Sequence, residues 1–296
     1  MAEHAPAARP QALRPAATAR VAGHRVGPSR VLIWLLLTVG AIAMAFPVVW
    51  MVSTSLKPDN ALFVTPPQLI PRPFQPANYS RIANEFPFWR FVFNSLLVSL
   101  VSTALQIITS AMAAYAFSRL RFRGQNLVFL LYLGTLMVPF QVIVVPLFVE
   151  MRYANLVNSY PGLILPAIAS AFGTFLLRQA FMTLPKDFDE AAFIDSASHW
   201  TVFTRIVLPL SGPALATFAV FAFMASWNSF LWPLVIVNSP DLMTLPVGLA
   251  SLQGRFTTAW NLVMAGATVS VIPILIVYVF AQKYVVQGFA QSGIKG

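Results

Sequence analysis

From Val31 onward the chain alternates between long apolar runs and short segments that hold nearly all of its charge. Six runs contain no Asp, Glu, Lys or Arg and are long enough for about 20 residues of helix, the length a bilayer core requires. They predict spans over about 31–52, 91–117, 127–149, 157–177, 212–237 and 261–282. None shows the period-two alternation of a barrel strand, and helices satisfy their own backbone in lipid. The pattern predicts an all-α integral membrane protein with six transmembrane helices.

Between the runs, three segments stand out. Residues 1–30 are rich in Ala, Pro and Arg and lack helical periodicity, which predicts a disordered basic cytoplasmic tail ahead of a membrane domain over 31–296. A second reading takes Ala43-Met44-Ala45 as a signal-peptide cleavage site, although the apolar run continues to Val52. The outside loop from Ser53 to Arg90 carries seven prolines between Pro58 and Pro87, so an irregular cover over the mouth of the bundle is expected. The cytoplasmic loop 183–211 differs in kind, with Asp187, Asp189, Glu190 and Asp195 among the nine acidic residues of the chain.

Composition sharpens this picture. Hydrophobic residues make up 58% and charged residues 9%, against roughly a quarter charged in a soluble domain. A soluble fold of this size is excluded. The net charge is +10, but the basic residues separate the spans and read as topological signals rather than a nucleic-acid surface. With the N-terminus inside, 13 of the 19 Lys and Arg fall on cytoplasmic segments and 6 outside, which predicts two cytoplasmic termini. The absence of cysteine excludes disulfides, thiolate metal sites and cysteine catalysis.

The predicted spans also lack histidine, and His4, His24 and His199 all fall on cytoplasmic segments. A proton-coupled pump would show an ionisable residue inside the membrane, and a metal site would show a ligand cluster. Gly288 to Gly293 has phosphate-loop spacing, but Ile294 stands where Lys is needed. The expectation is a transport subunit and not an enzyme, with no metal and no cofactor of its own. Energy for transport must then come from another chain.

The acidic loop reads as two short helices. Pro185 suits a first helical position, with Asp187, Asp189 and Glu190 near the positive end of the dipole. Phe188, Ala191, Ala192 and Asp195 share one face; after a break at Ser196 to Ser198, Trp200, Phe203 and Val207 share another. Pro209 and Pro213 close the element. Such an elbow docks another protein or lies on headgroups, and carboxylates facing an anionic leaflet favour the protein.

In the second span Ser95, Ser99, Ser102, Gln106 and Thr109 recur at intervals of 4, 3, 4 and 3 and form one polar stripe. A wet translocation path and close packing of small residues both explain it. In the fifth span Trp227 and Asn228 offer an aromatic face beside an amide, suited either to a sugar or to helix packing. The candidate solute path is therefore Ser95, Ser99, Ser102, Gln106, Trp227 and Asn228.

The loop Glu190-Ala191-Ala192, with Asp195-Ser196 and then Ile206-Val207-Leu208-Pro209, resembles the EAA loop of ATP-binding-cassette importer permeases. Ser196 stands where that family has glycine. Ala114-Tyr115-Ala116-Phe117-Ser118-Arg119, Phe122-Arg123-Gly124, Trp227-Asn228 and Thr244-Leu245-Pro246 resemble the carbohydrate-type subfamily, in its second permease subunit.

The resemblance implies a coupling helix between spans four and five that engages an ATPase through Glu190, Ala191, Ala192, Asp195, Ser196, Ile206, Leu208 and Pro209. It also implies a C-terminal tail, Ser292, Gly293 and Lys295, reaching toward that ATPase. Implied partners are a homologous permease, two ATPase subunits carrying ATP and magnesium, an extracytoplasmic solute-binding protein and the lipid of a bacterial-type inner membrane. The expected function is ATP-driven import of a sugar or sugar-like solute by alternating access. A sodium-coupled carrier is the alternative.

Overall fold

A computed structural model describes residues 28–253 and 258–293. The N-terminal tail lies outside the described residues, as does Lys295. The chain divides into two units, Met1–Pro47 and Val48–Gly296. The described part of the first is uninterrupted helix, the start of α1 (Pro28–Ser55). Its apolar run from Val31 is long enough to cross a bilayer.

The second unit is helical throughout its described residues apart from turns and one isolated β-bridge between Gln253 and Thr258. In chain order it holds α2 (Asn78–Glu85), α3 (Phe88–Arg119), α4 (Gln125–Gly134), α5 (Phe140–Tyr153), α6 (Tyr160–Ile164) and α7 (Ala171–Thr183). There follow α8 (Asp187–Ile194), α9 (His199–Val202), α10 (Leu208–Leu210), α11 (Gly212–Trp227), α12 (Leu231–Ile236), α13 (Leu245–Ser251) and α14 (Trp260–Gly293). Long unbroken helices at α1, α3 and α14 meet the length and hydropathy of a span. Three more apolar helix pairs do so only when joined across bends of 100° (α4 and α5), 46° (α6 and α7) and 79° (α9–α10 and α11).

Proline sets the breaks. Pro166 has no N–H to give the Gly162 carbonyl, and its ring crowds that oxygen. The indole Nε1 of Trp232 donates to this Gly162 oxygen at 3.0 Å. The Ile168 and Ser170 carbonyls at the same break accept from the hydroxyls of Thr109 and Ser110. Broken backbone is tolerated at membrane depth when neighbouring side chains restore its hydrogen bonds. The predicted span 212–237 is interrupted in the same way. α11 ends at Trp227, the Asn228 amide turns back to the Met224 carbonyl at 2.8 Å, and Pro233 cannot continue a ladder from Ser229.

α3 is the central element, packed along α7 and α11, while α11 also packs along α14. The approach of α7 to α11 needs a glycine, because a Cβ on Gly173 would lie 2.0 Å from the Phe218 ring. At the loop end of α3, buried Asn94 donates to the Asp241 and Met243 carbonyls at 2.8 and 2.9 Å and accepts from the Tyr160 hydroxyl at 2.7 Å. The loop after α1 is held by Asn78, whose amide donates to the carbonyls of Ser55 and Lys57. Lys57 is buried against the Trp50 ring at 4.4 Å, and desolvation lowers its pKa from the ordinary lysine range.

Candidate functional site

Two regions of α3 meet the sequence-derived candidates. Midway along the helix, Ser95, Ser99, Ser102 and Gln106 form one wall of a cavity of about 540 Å³. Opposite stand Phe140 at the start of α5, Ser226 and Ser229 at the end of α11, and Phe230 and Trp232 around α12. All of these wall elements flank proline- or asparagine-made breaks, so the interruptions are what open the space. Ser95 is committed, since its hydroxyl accepts from the Leu245 N–H at 2.7 Å. Ser99, Ser102 and Thr244, also in the wall, are buried with hydroxyls that have no partner among the described residues. The stripe thus divides: Thr109 packs against the α6–α7 break, and Ser99, Ser102 and Gln106 belong to the cavity.

Trp227 and Asn228 stand elsewhere. Trp227 is buried, stacks on Phe223 and donates its Nε1 to the Ser270 carbonyl at 3.1 Å, tying α11 to α14. Together with Asn228 it lines a separate cavity of about 300 Å³. The aromatic faces on the larger cavity are Phe140, Phe230 and Trp232 instead. Phe140 and Trp232 meet edge to face with centroids 6.4 Å apart. Sequence reading missed these because a helix continued to Val237 would not turn residues 230–233 toward α3. Pro233 was the available signal.

The far end of α3 meets the acidic loop. Arg119 Nε lies 3.1 Å from Asp189 Oδ2, both side chains buried, and a second guanidinium nitrogen donates to the Leu184 carbonyl at 3.1 Å. The terminal carbonyls of α3 at Ala116 and Phe117 accept from Gln125, and Phe117 also accepts from Arg178 Nε at 2.9 Å. Tyr115 and His199 approach within 3.3 Å through the hydroxyl and Nδ1. Asp189 was legible as an acidic loop residue; its pairing with Arg119 was not.

α8 ends in a six-residue lock. Ser196 adopts φ +59°, its N–H reaches the Phe193 carbonyl, and the Ala197 N–H reaches the Ala192 carbonyl. Ser198 then caps α9 by accepting from the Thr201 N–H. A π-helical turn at Phe203–Val207 leads into α10. Glu190, Ala191, Asp195, Ser196 and Pro209 are exposed. Ala192, Ile206 and Leu208 are half-buried against a core that includes Tyr115, Phe181, Val202, Val207 and Phe218. One side of the elbow is therefore fixed to α3, α7 and α11. Glu190 and the large apolar side chains of Phe188, Ile194 and Trp200 are exposed on the elbow. Ser292 and Gly293 close the backbone of α14.

A multi-pass membrane subunit with a cavity among broken helices and a solvent-facing elbow on the same long helix belongs to the class of membrane transport components. Residues 106–291 match the family described as the binding-protein-dependent transport system inner membrane component, and the chain belongs to that family. It is 38% identical to the arabinooligosaccharides transport system permease protein AraQ of Halalkalibacterium halodurans, across 90% of this chain and 98% of that one. Identity to the sulfoquinovosyl glycerol transport system permease protein SmoH of Agrobacterium fabrum is 37%, across 85% and 89%. The fold matches, at a TM-score of 0.78 and 24% identity, a crystallised bacterial ABC transporter involved in the import of the acidic polysaccharide alginate, covering 86% of this chain and 95% of that one.

Proposed function

We propose that this chain is a transmembrane permease subunit of an ATP-driven importer for a sugar or sugar-like solute. It spans the membrane six times, counting each bent pair as one span, with both termini cytoplasmic. It works by alternating access beside a homologous permease, fed by an extracytoplasmic binding protein. ATP and magnesium sit on two separate ATPase subunits. The elbow α8–α10 is the coupling element, and Glu190, Ala191, Asp195, Ser196 and Pro209 meet the ATPase while Ala192, Ile206 and Leu208 transmit its movement inward.

One observation supports this reading above the others: α3 carries the cavity hydroxyls along its length and grips α8 at its end through Arg119 and Asp189. A displacement of the elbow is then a displacement of the cavity wall. No observation favours the sodium-coupled alternative.

The test is co-purification of the chain with ATPase subunits, followed by Glu190→Lys. Because Glu190 is exposed, the substitution leaves the fold intact. The expected result is a loss of ATPase binding and of uptake by tenfold or more, about 1.4 kcal/mol or greater at the contact. Undiminished binding and uptake would remove the elbow from the coupling role.

A further inference from the structure

Among the described residues no carboxylate pairs with Arg178 of α7, and its half-buried charge is matched in another way. Its Nε donates to the Phe117 carbonyl at 2.9 Å, and its guanidinium carbon lies 4.3 Å from the centroid of the Phe129 ring. The last four carbonyls of a helix have no partner inside it, and their partial negative charge attracts a cation. The Phe117 carbonyl is one of these, at the end of α3. A guanidinium over an aromatic face gains further from the ring quadrupole. Arg178 therefore joins three helices at one point: α7 supplies it, α3 presents the carbonyl and α4 the ring.

This junction sets the direction of α4. Gln125, its first residue, donates to the Ala116 and Phe117 carbonyls and pins that end. One pin is a pivot. Phe129 lies four residues on, about one turn, so Arg178 fixes a second point. Phe129 is the one residue of α4 that is buried, while Leu127, Leu130 and Leu131 are exposed. A turn at Thr135–Met137, then Val138 and Pro139, leads from α4 into α5. Pro139 restricts its own φ and the conformation of Val138, which stiffens the joint. Phe140 follows at once as part of the cavity wall. In the other direction α7 runs into the elbow after only Leu184, Pro185 and Lys186, and Arg119 holds the Leu184 carbonyl.

We propose that Arg178 is a positioning residue for transport coupling, the link by which displacement of the elbow reaches α4 and, past Pro139, the Phe140 side of the cavity. The inference rests on the permease reading above. It adds a route to the one through Arg119 and Asp189, which moves α3.

The experiment uses the complete complex of both permeases, the ATPases and the binding protein in lipid nanodiscs. The chain has no cysteine, so paired thiols carry spin labels without background. Leu131→Cys with Met182→Cys reports α4 against α7, and Met112→Cys with Met182→Cys reports α3 against α7; all three positions are exposed. Separations are measured without nucleotide and with ATP and vanadate, which holds the ATPases closed. In the otherwise unaltered chain the α4–α7 separation is expected to stay constant between the two states. Arg178→Met removes the charge and the donor but keeps the length. In that variant the α4–α7 separation is expected to change between states by about 2 Å or more, the scale of helix shifts in switching proteins. The α3–α7 separation is expected to stay constant throughout, whereas a merely structural role would loosen both pairs together. Phe129→Leu cuts the link from the α4 side, with the same change expected, and decides the matter if Arg178→Met does not assemble. A constant α4–α7 separation in these variants, a change of that size already in the unaltered chain, or an equal change in the α3–α7 pair would each overturn the role. If the unaltered chain never assembles with ATPase subunits, it is the permease reading that fails.

Discussion

Ser196 shows how much a single residue holds in the elbow. A left-handed φ of +59° lets its own N–H and that of Ala197 close the last two carbonyl bonds of α8. A side chain in this region is disfavoured relative to glycine, so the motif is retained at a small local cost. Ser196→Gly is expected to stabilise the purified complex by up to about 1 kcal/mol, read as a rise in thermal midpoint with coupling intact. An unchanged or lower midpoint would mean that the serine side chain contributes something the backbone does not need. Asn94 makes a second case, because its amide saturates three groups from two other segments. The sequence displayed Asn94 only as a polar residue near a span end. Its partners lie 66 to 149 positions away, a separation no local pattern encodes.

At the scale of elements, α3 is a rod that joins two functional regions, and the Arg119–Asp189 pair is its fastening to α8. Removing one partner of a buried ion pair strands the other and typically costs about 3 kcal/mol or more. Asp189→Asn is therefore expected to lower the melting midpoint clearly and to reduce solute taken up per ATP hydrolysed in proteoliposomes. Normal stoichiometry in that variant would show that α3 does not carry the coupling. The helix breaks follow a different rule. The hydrophobic pattern predicts continuous spans through Pro139 and Pro166, whereas the chain bends there by 100° and 46°, and what such bends require is that the freed carbonyls find new partners. Trp232, Thr109 and Ser110 supply them at the α6–α7 break.

At the scale of the molecule, the proposed orientation rests on the charge of the loops, and the chain lends itself to a direct test. It contains no cysteine, so a single introduced thiol has no background. Arg121→Cys, next to the α3 end, is expected to react with a membrane-impermeant maleimide only from the cytoplasmic side. Phe63→Cys, in the exposed outer loop, is expected to react only from the opposite side. Labelling of both from one side would break the six-span topology, since α3 alone separates the two regions after α1.

The sequence by itself determined the solvent, the helical class and the family. These follow from composition, periodicity and local motifs, which need no knowledge of neighbours. It also determined the polar stripe and the acidic elbow as surfaces. Tertiary structure decided which of those residues act together. Ser99, Ser102 and Gln106 face a cavity only because α5, α11 and α12 stop or bend opposite them. Trp227 became a packing residue because α14 passes within hydrogen-bonding reach of its indole. Asp189 became a fastening because α3 ends with Arg119 beside it. A helix face fixes which residues can meet a partner; only the path of the other helices fixes what that partner is.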